Sequence, residues 1–229
     1  MSGCLRYHHP TRPKPGFPGS DLPSVSKQIG DWGAKQNAKL VMELRQQIHD
    51  LFARLEARRL ASGYVREAAV LMPIFERKGE PFFLLTRRTE DVSTHKGQIS
   101  FPGGMRHDKE SLDHTALRET FEEIGIHQNQ IEILGRFHDY TSITNHLVAP
   151  FAGYIKEDFS TLPQASEVAE VLCVPFTVFE DPTRLRTERM LRAGVMMNVY
   201  FYRYESHEIW GLTAQIIRDF LEELQRHRP

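Results

Sequence analysis

A cluster of three glutamates just before a glycine constrains the fold of this chain more than any other feature of its sequence. Glu119, Glu122 and Glu123 stand in the run RETFEEIG, which ends at Gly125. At 100° per residue on a helix, the three carboxylates share one arc. The pattern predicts a helix over 112–125 with a left-handed glycine cap and its carboxylates crowded on one side. The opposite arc of the helix is predicted to pack on a sheet. Its side chains are those of Leu117, Thr120, Phe121 and Ile124.

The crowding of these carboxylates has an energetic cost on an ordinary solvated helix. Glu119 and Glu123 are four residues apart, and like charges at that spacing destabilise a helix by roughly 0.2–0.5 kcal/mol. The cluster also lies near the helix C-terminus, where the helix dipole disfavours anions. A hard divalent cation among the carboxylates removes both penalties, and Mg²⁺ takes carboxylates, waters and substrate phosphate oxygens as ligands. Spacing alone leaves two alternatives open, a metal site and an ordinary acidic surface.

The residues around the cluster extend it into a longer pattern. It reads as a glycine, five residues, a glutamate, seven residues, and then RETFEEIGI. This pattern resembles the signature box of the Nudix hydrolases, with Thr120 at a position that is usually aliphatic. The resemblance implies a fold of mixed α/β (α+β) class, in which an α/β/α sandwich surrounds a mixed sheet. It also implies metal-dependent cleavage of a nucleoside diphosphate linked to another group. All fixed positions of the box are filled, by Gly104, Glu110, Arg118, Glu119, Glu122, Glu123 and Gly125.

The same resemblance implies a role for each residue of the box. Glu122 acts at a second metal or through water, and Arg118 and Glu110 hold the metal-binding carboxylates in place, as metal sites generally require. In many Nudix enzymes a carboxylate outside the box activates water or binds an extra metal. Glu167 is the candidate here and Glu170 the next choice, and a solvated loop glutamate remains an equal alternative. The implied ligands of Mg²⁺ or Mn²⁺ are Glu119, Glu123, Glu122 and the carbonyl of Gly103.

The segment before the box adds a second resemblance. Its runs LLTRRT at 84–89 and GQISFPGG at 97–104 are similar to the extra motif of the coenzyme A pyrophosphatase branch of the Nudix family. Thr89 replaces a serine of that motif, and Ser93 stands where the motif has an arginine, a planar group suited to binding phosphate. His95, Lys96 or Arg87 can substitute for that arginine. The substrate-binding residues implied by the resemblance are Arg87, Arg88, His95, Lys96 and Gly97.

Sequence patterns divide the chain into three parts. Residues 1–35 are rich in proline and poor in aliphatic residues, which predicts a flexible arm. Residues 36–63 carry apolar side chains at three- and four-residue steps between Ala38 and Arg59, which predicts an amphipathic helix that either docks on the domain or mediates dimerisation. Residues 64–229 are the Nudix domain that the resemblance implies.

Short apolar runs within this domain predict its strands and its last helix. Runs at 68–75 and 81–86 form a predicted hairpin about the turn residues Lys78-Gly79-Glu80. Further strands are predicted at Ile131–Tyr140, Leu147–Ile155 and Val195–Tyr204, and a closing helix at Leu212–Leu224.

The charge balance excludes partners that need a large basic surplus. Lys and Arg number 29 and Asp and Glu 30, a net charge of −1, which argues against nucleic acids and anionic membranes. No apolar run approaches the ~20 residues that span a bilayer. Two cysteines as far apart as Cys4 and Cys173 predict a reduced, cytosolic protein. The expected partner is a small CoA-like nucleotide, and a homodimer stays open.

The function that the resemblance implies is hydrolysis of the pyrophosphate of CoA, or of acyl-CoA or oxidised CoA, to 3′,5′-ADP and the corresponding phosphopantetheine. The departure at Ser93 leaves a Nudix hydrolase for ADP-ribose, dinucleotides or another nucleoside diphosphate derivative as an alternative. A second alternative is a Nudix domain kept only as a ligand sensor or interaction module. Such a module has no need to keep Arg118, Glu119, Glu122 and Glu123 together, and this chain keeps them all.

Overall fold

The computed structural model describes residues 43–61, 66–89, 97–156, 159–192 and 194–227. The predicted arm at 1–35 lies outside the described residues, as do both ends of the predicted helical part at 36–63. Helices occupy 43–54 (α1), Leu112–Ile124 (α2), Phe176–Glu180 (α3) and Gly211–Arg226 (α4). No helix in this part of the chain has the length and apolar character that a membrane crossing requires.

A mixed sheet forms the centre of the molecule. Its central order is β3-β2-β1-β7-β5, and β4, β6 and β8 pair with β1, β7 and β2. Strands β1 and β7 run parallel, and the other pairs are antiparallel. The strands of this sheet are β1 (Glu67–Arg77), β2 (Glu80–Arg88), β3 (Ile99–Ser100), β4 (Gly103–Met105), β5 (Ile131–Arg136), β6 (Tyr140–Thr141), β7 (Leu147–Ile155) and β8 (Val168–Pro175).

A smaller antiparallel sheet follows in the chain, in the order β11-β10-β9. Its strands are β9 (Leu185–Arg192), β10 (Val195–Tyr204) and β11 (His207–Trp210). The charge-rich sequence of β9, LRTERMLR, shows no apolar alternation. Pairing with β10 along its whole length makes it a strand, and the ion pair of Arg186 with Glu208 of β11 spans the sheet.

Two apolar cores lie on opposite faces of the central sheet. Strand β1 buries Met72 and Ile74 on one face and Leu71 and Phe75 on the other, because successive side chains of a strand alternate. The first core includes α1 and α4, and the second includes α2. The predicted sandwich of helices around a mixed sheet is confirmed.

Helix α1 docks on the first core, as one of the two predicted alternatives had it. Ile48 and Leu51 are fully buried, and Phe52 packs so closely on β5 that a Cβ on Gly135 would lie 2.4 Å from its ring. The segment after the helix is fixed by Asp139, which accepts a hydrogen bond from the amide of Leu60 at 3.1 Å. The helix ends at residue 54 rather than at Arg59, so its predicted C-terminal boundary was wrong.

Most other predicted elements are confirmed. The β1–β2 hairpin turns at Lys78 and Gly79, both with positive φ, which is the turn that suits a two-residue hairpin. Strands β7 and β10 have the predicted bounds, and α4 exceeds its prediction by one residue at its start and two at its end. The single strand predicted at Ile131–Tyr140 was wrong, because β5 ends at Arg136 and β6 begins at Tyr140.

Candidate active site

Helix α2 has the predicted span but buries a different face. Phe121 was predicted to pack on the sheet, yet it is 44% exposed and lies against the ring of His127, with centroids 4.5 Å apart. Glu123 is buried instead, only 5% exposed. Thr120 lies on the buried face as predicted, where its hydroxyl donates to the Ala116 carbonyl at 2.7 Å, and this face extends to Glu123 rather than to Phe121. One of the three carboxylates therefore lies inside the protein.

Gly125 ends the helix as the sequence predicts. Its φ is +74° and its amide donates to the Phe121 carbonyl at 2.8 Å, which is a left-handed cap. The loop after residue 159 then covers the last helical turn. The amides of Leu162 and Gln164 donate to the carbonyls of Ile124 and Glu123 at 2.8 and 2.9 Å. Backbone groups at the end of the carboxylate helix are thus satisfied by this loop.

Arg118 connects most of the acidic residues of the box. Its Nε and Nη2 donate to the two oxygens of Glu110, at 2.9 and 3.2 Å. Its Nη1 donates to Glu119 at 2.8 Å and to Glu122 at 2.7 Å, and Nη2 also reaches the carbonyl of Met105 at 3.2 Å. The planar guanidinium matches the bidentate geometry of one carboxylate while it bridges two more.

Glu110 is the anchor of this network. Besides Arg118, it accepts hydrogen bonds from the hydroxyl of Thr115 at 2.8 Å, the amide of His107 at 3.2 Å and, in the appropriate tautomer, the ring of His114 at 2.9 Å. The Arg118 guanidinium, followed by the other donors, holds the pKa of Glu110 well below its usual range. The same pairing raises the pKa of Arg118.

Glu119 lies against the glycine loop. A Cβ on Gly104 would stand 2.5 Å from the Glu119 carboxylate carbon, so any larger residue at this position displaces the Glu119 carboxylate. Burial raises the pKa of Glu119, against the opposing effect of Arg118. Glu122 lies further out, with 54% of its side chain exposed.

Glu123 is the most unusual carboxylate in the site. Burial raises its pKa to about 8, and a hydrogen bond from the Gly103 amide and the charge of Arg88 act in the opposite direction. Its Oε2 is buried and has no hydrogen-bond partner among the described residues. A buried, unpartnered carboxylate oxygen costs stability, and a cation ligand at this atom would remove that cost.

The donor set fits a hard divalent cation. Glu119, Glu122 and Glu123 offer only oxygen ligands, the type that Mg²⁺ and Mn²⁺ prefer. The Oε2 of Glu123, which has no hydrogen-bond partner within the described part of the chain, is an open ligand position. Within the described residues, no three Asp, Glu, His or Cys side chains converge on one point as metal ligands. Arg118 contacts one oxygen of Glu119 and one oxygen of Glu122, so each carboxylate keeps a second oxygen for an ion while Arg118 holds it in place.

Strand alternation separates the two arginines predicted to bind substrate. Arg88 lies close enough to Glu123 to oppose its raised pKa, and its Nε is buried without a partner among the described residues. Arg87 projects from the other face of β2, where it donates to Glu170 at 3.1 Å. His207 lies 3.6 Å from the same Glu170 oxygen. The structure therefore brings Arg88 to the carboxylates and does not bring Arg87 or Glu170.

The remaining predicted residues have these positions. Glu167 is exposed on the loop before β8, and its charge contributes to the raised pKa of both Glu119 and Glu123. Thr89 fixes this loop, because its amide and hydroxyl donate to the carbonyls of Glu167 and Ser166 at 3.0 and 3.1 Å. Gly97 has φ +64° in the turn before β3. His95 and Lys96 lie outside the described residues, as does Ser93.

Sequence reasoning missed four groups of this network: the hydroxyl of Thr115, the His107 amide, the His114 ring and the Met105 carbonyl. The two backbone groups carry no sequence signal. Thr115 and His114 lie at positions that the box leaves open, and only the known geometry of α2 relative to Glu110 shows that they meet it.

The two glycines of the loop are expected to respond differently to alanine. In Gly104→Ala the new Cβ meets the Glu119 carboxylate, so kcat/KM should fall about 10²-fold with little loss of stability. In Gly103→Ala the Cβ lies 2.4 Å from the Ala69 carbonyl and 2.7 Å from the Val70 Cα, which cannot move aside, so the fold should lose about 2 kcal/mol or more. Kinetics and chemical denaturation measure both; full activity in Gly104→Ala contradicts the prediction.

The Glu110–Arg118 pair is expected to make stability depend on pH. Because the folded-state pKa of Glu110 is depressed, its contribution is complete above the unfolded value of about 4.5 and is lost as pH falls towards the folded pKa. Glu110→Gln should cost about 2 kcal/mol at pH 7. Its deficit relative to the wild type should shrink below about pH 4.5 in urea titrations. An equal deficit at pH 7 and pH 4 would show that the charge of Glu110 is not involved.

Comparisons with known proteins match this chain to one family. A model of the NUDIX domain matches residues 65–193. The uncharacterized Nudix hydrolase NudL of Photorhabdus laumondii subsp. laumondii is 38% identical over 161 residues, 70% of this chain and 86% of the relative. NudL of Yersinia pestis (strain Pestoides F) is 37% identical over 160 residues, 69% and 80% of the two chains. A solved MutT/nudix family protein from Enterococcus faecalis aligns at 15% identity and a TM-score of 0.48, over 90% of this chain and 76% of its own.

A mixed sheet between helices, with a carboxylate helix after a glycine loop, is the architecture that the sequence predicted, and the matching domain model covers more than half of the chain. The chain belongs to the Nudix family. It is a Nudix hydrolase, an enzyme that cleaves phosphoric anhydride bonds, and enzymes of this family generally use divalent metal ions.

Proposed function

We propose that the protein hydrolyses the pyrophosphate bond of coenzyme A, or of its acyl or oxidised derivatives, to 3′,5′-ADP and the corresponding phosphopantetheine. The main support is that strand β2 brings Arg88, whose Nε has no hydrogen-bond partner among the described residues, close to the buried carboxylate of Glu123. This strand holds the segment that resembles the CoA pyrophosphatase motif. A side chain that is proposed to bind phosphate therefore lies beside the carboxylates that are proposed to bind metal.

We propose Mg²⁺ or Mn²⁺ as the metal, with Glu119, Glu122, Glu123 and the carbonyl of Gly103 as its ligands. When bound, such ions neutralise the phosphate oxygens and lower the pKa of water. Arg118 and Glu110 fix the position of the carboxylates. Glu167 is the proposed base for the attacking water, because it is exposed and its charge reaches both Glu119 and Glu123.

The arginines divide the substrate contacts. Arg88 and the turn at Gly97 are the proposed phosphate contacts, together with His95 and Lys96, which precede Gly97 in the chain and lie outside the described residues. Arg87 already pairs with Glu170 on the opposite face of the sheet. It is therefore a poor replacement for the motif arginine, whose position is occupied by Ser93 in this chain. This observation favours the second candidate function, hydrolysis of ADP-ribose or another nucleoside diphosphate derivative. A cytosolic location and a homodimer remain predictions from sequence.

A substrate panel with two neighbouring variants tests the proposal. The full chain is assayed with Mg²⁺ or Mn²⁺ against CoA, acetyl-CoA, CoA disulfide, ADP-ribose, NADH and diadenosine tetraphosphate. CoA or one of its derivatives should give the highest kcat/KM, and Arg88→Gln should lower that value about 10²-fold, mainly through KM, as the loss of a charged phosphate contact does. Arg87→Gln, the same change one residue away on the other face, should lower it far less. A clear advantage of ADP-ribose over CoA overturns the substrate assignment, and equal effects of the two variants overturn the assignment of Arg88.

A further inference from the structure

The hydroxyl of Thr115 is the only fully buried side-chain donor to Glu110 among the described residues. Thr115 is 0% exposed, and its Oγ1 lies 2.8 Å from Glu110 Oε2. The other neutral donors are weaker anchors: the His107 amide is 3.2 Å away, and the ring of His114 belongs to a side chain that is 61% exposed. Thr115 stands at a box position that carries no fixed residue.

The orientation of Glu110 determines the orientation of Arg118. The guanidinium pairs with both oxygens of Glu110 at once, a geometry that exists only for one rotation of the carboxylate plane. That terminal torsion of a glutamate is intrinsically soft, with a broad energy profile. The hydrogen bond from Thr115 to Oε2 fixes it, and through it the fork of Arg118.

Arg118 in turn holds the two carboxylates nearest to solvent. A single nitrogen, Nη1, donates to both Glu119 and Glu122. If the plane of Glu110 turns, the guanidinium turns with it and that nitrogen moves away from one carboxylate or both. Outer-shell hydrogen bonds of this kind typically change metal affinity or activity 10- to 100-fold when removed.

We propose that Thr115 is a positioning residue of this hydrolase, whose hydroxyl locks Glu110 so that Arg118 presents Glu119 and Glu122 for metal binding. The inference rests on the proposed metal role of these glutamates and is independent of the choice of substrate. Thr115 acts through two other side chains, Glu110 and Arg118.

The same helix supplies a matched control. Thr120 is also 0% exposed, and its hydroxyl also donates to the carbonyl four residues earlier, Ala116, at 2.7 Å. The single hydroxyl proton of Thr115 is shared between Glu110 Oε2 at 2.8 Å and the carbonyl four residues earlier, Ser111, at the longer distance of 3.1 Å. Threonine to valine at the two positions removes the same atom from the same environment, and only at 115 does it remove a hydrogen bond to the catalytic network.

The experiment measures Mn²⁺ binding by electron paramagnetic resonance, and kcat, KM and the Mg²⁺ dependence with the best substrate of the panel. Thr115→Val should raise the Mn²⁺ dissociation constant and lower kcat, each about 10-fold or more, with less than a ~3-fold change in the KM for substrate. Thr120→Val should resemble the wild type in all of these. In Thr115→Ser, the Mn²⁺ dissociation constant and kcat should both lie within about 3-fold of the wild type. In Thr115→Ala, which differs from Thr115→Ser only by the hydroxyl oxygen, they should not.

The outcomes separate this inference from the proposed function. If Thr115→Val binds Mn²⁺ and turns over like Thr120→Val, the positioning role is wrong. It is equally wrong if Thr115→Ser and Thr115→Ala are impaired alike, and this pair decides the question if Thr115→Val does not fold. Failure of the CoA proposal has a different signature: normal Mn²⁺ binding by the wild type without CoA turnover.

Discussion

Replacement of Glu123 by glutamine is expected to lower kcat/KM at least about 10³-fold, which corresponds to about 4 kcal/mol of transition-state stabilisation. Glu123 is the one buried carboxylate of the cluster, and its Oε2 has no partner among the described residues. An amide keeps the shape of the side chain but loses the charge that a divalent cation requires. Steady-state kinetics with Mg²⁺ and with Mn²⁺ measure the effect.

Measurements of stability distinguish the loss of a metal ligand from the loss of the fold in Glu123→Gln. The carboxyl of Glu123 has its pKa raised to about 8 by burial. Without metal, the wild type therefore loses stability as pH rises from the unfolded value of about 4.5 towards 8, because ionisation is disfavoured in the folded state. In chelator at pH 8, Glu123→Gln should be at least as stable as the wild type. Glu132→Gln, which changes a surface ion pair with Arg45, serves as the kinetic control. Full activity of Glu123→Gln in the presence of metal contradicts the assignment of Glu123 as a metal ligand.

Arg118→Lys is expected to lower kcat/KM about 10²-fold and the free energy of unfolding by about 3 kcal/mol. Lysine keeps the charge, but its ammonium cannot pair with both oxygens of Glu110 and reach Glu119 and Glu122 as well. Glu110, with 9% of its side chain exposed, is then left with a weakened partner. Kinetics and urea denaturation measure the two losses.

A charge-conserving control exists on another helix. Arg218 of α4 pairs with one carboxylate, Glu222, at 2.8 Å, and its guanidinium lies 4.3 Å from the ring centroid of Tyr200. Arg218→Lys should cost well under 1 kcal/mol, as exposed pairs do, and leave kcat unchanged. If Arg118→Lys is as mild as Arg218→Lys, then charge alone suffices at position 118 and the fork geometry is irrelevant.

The elements that sequence predicted best are those with an uninterrupted physical signal. Leu147–Ile155 is buried along its whole length, so its apolar run and its strand coincide. Strand β9 gave no such signal, because pairing with β10 rather than burial of a periodic face makes it extended. Such tertiary pairing is invisible in a local pattern.

The site shows the same division. The fixed positions of the box include the three glutamates that meet Arg118. Helical spacing explains only the contact with Glu122, four residues further on, because Glu110 precedes α2 and Glu119 is adjacent to Arg118. Pattern counting placed Phe121 in the core and Glu123 outside it, and the structure reverses both. An apolar face read from sequence gives the direction of packing only to within about one residue. The pairing of Arg87 with Glu170 depended on which face of β2 meets α2, which the sequence of β2 alone does not state.

Strands β1 and β7 contribute apolar side chains to both cores. The stability of the carboxylate side of the sheet therefore depends on the packing of α1 on the other side. Ile48 and Leu51 lie in the core across the sheet from the carboxylate helix, so substitutions there are expected to leave the carboxylate geometry intact. They still reduce activity in a cell, because a loss of about 1–2 kcal/mol increases the unfolded fraction that quality control removes. Inherited variation in α1 should therefore produce temperature-sensitive alleles with a normal turnover per folded molecule, whereas changes at the carboxylates should be inactive at every temperature.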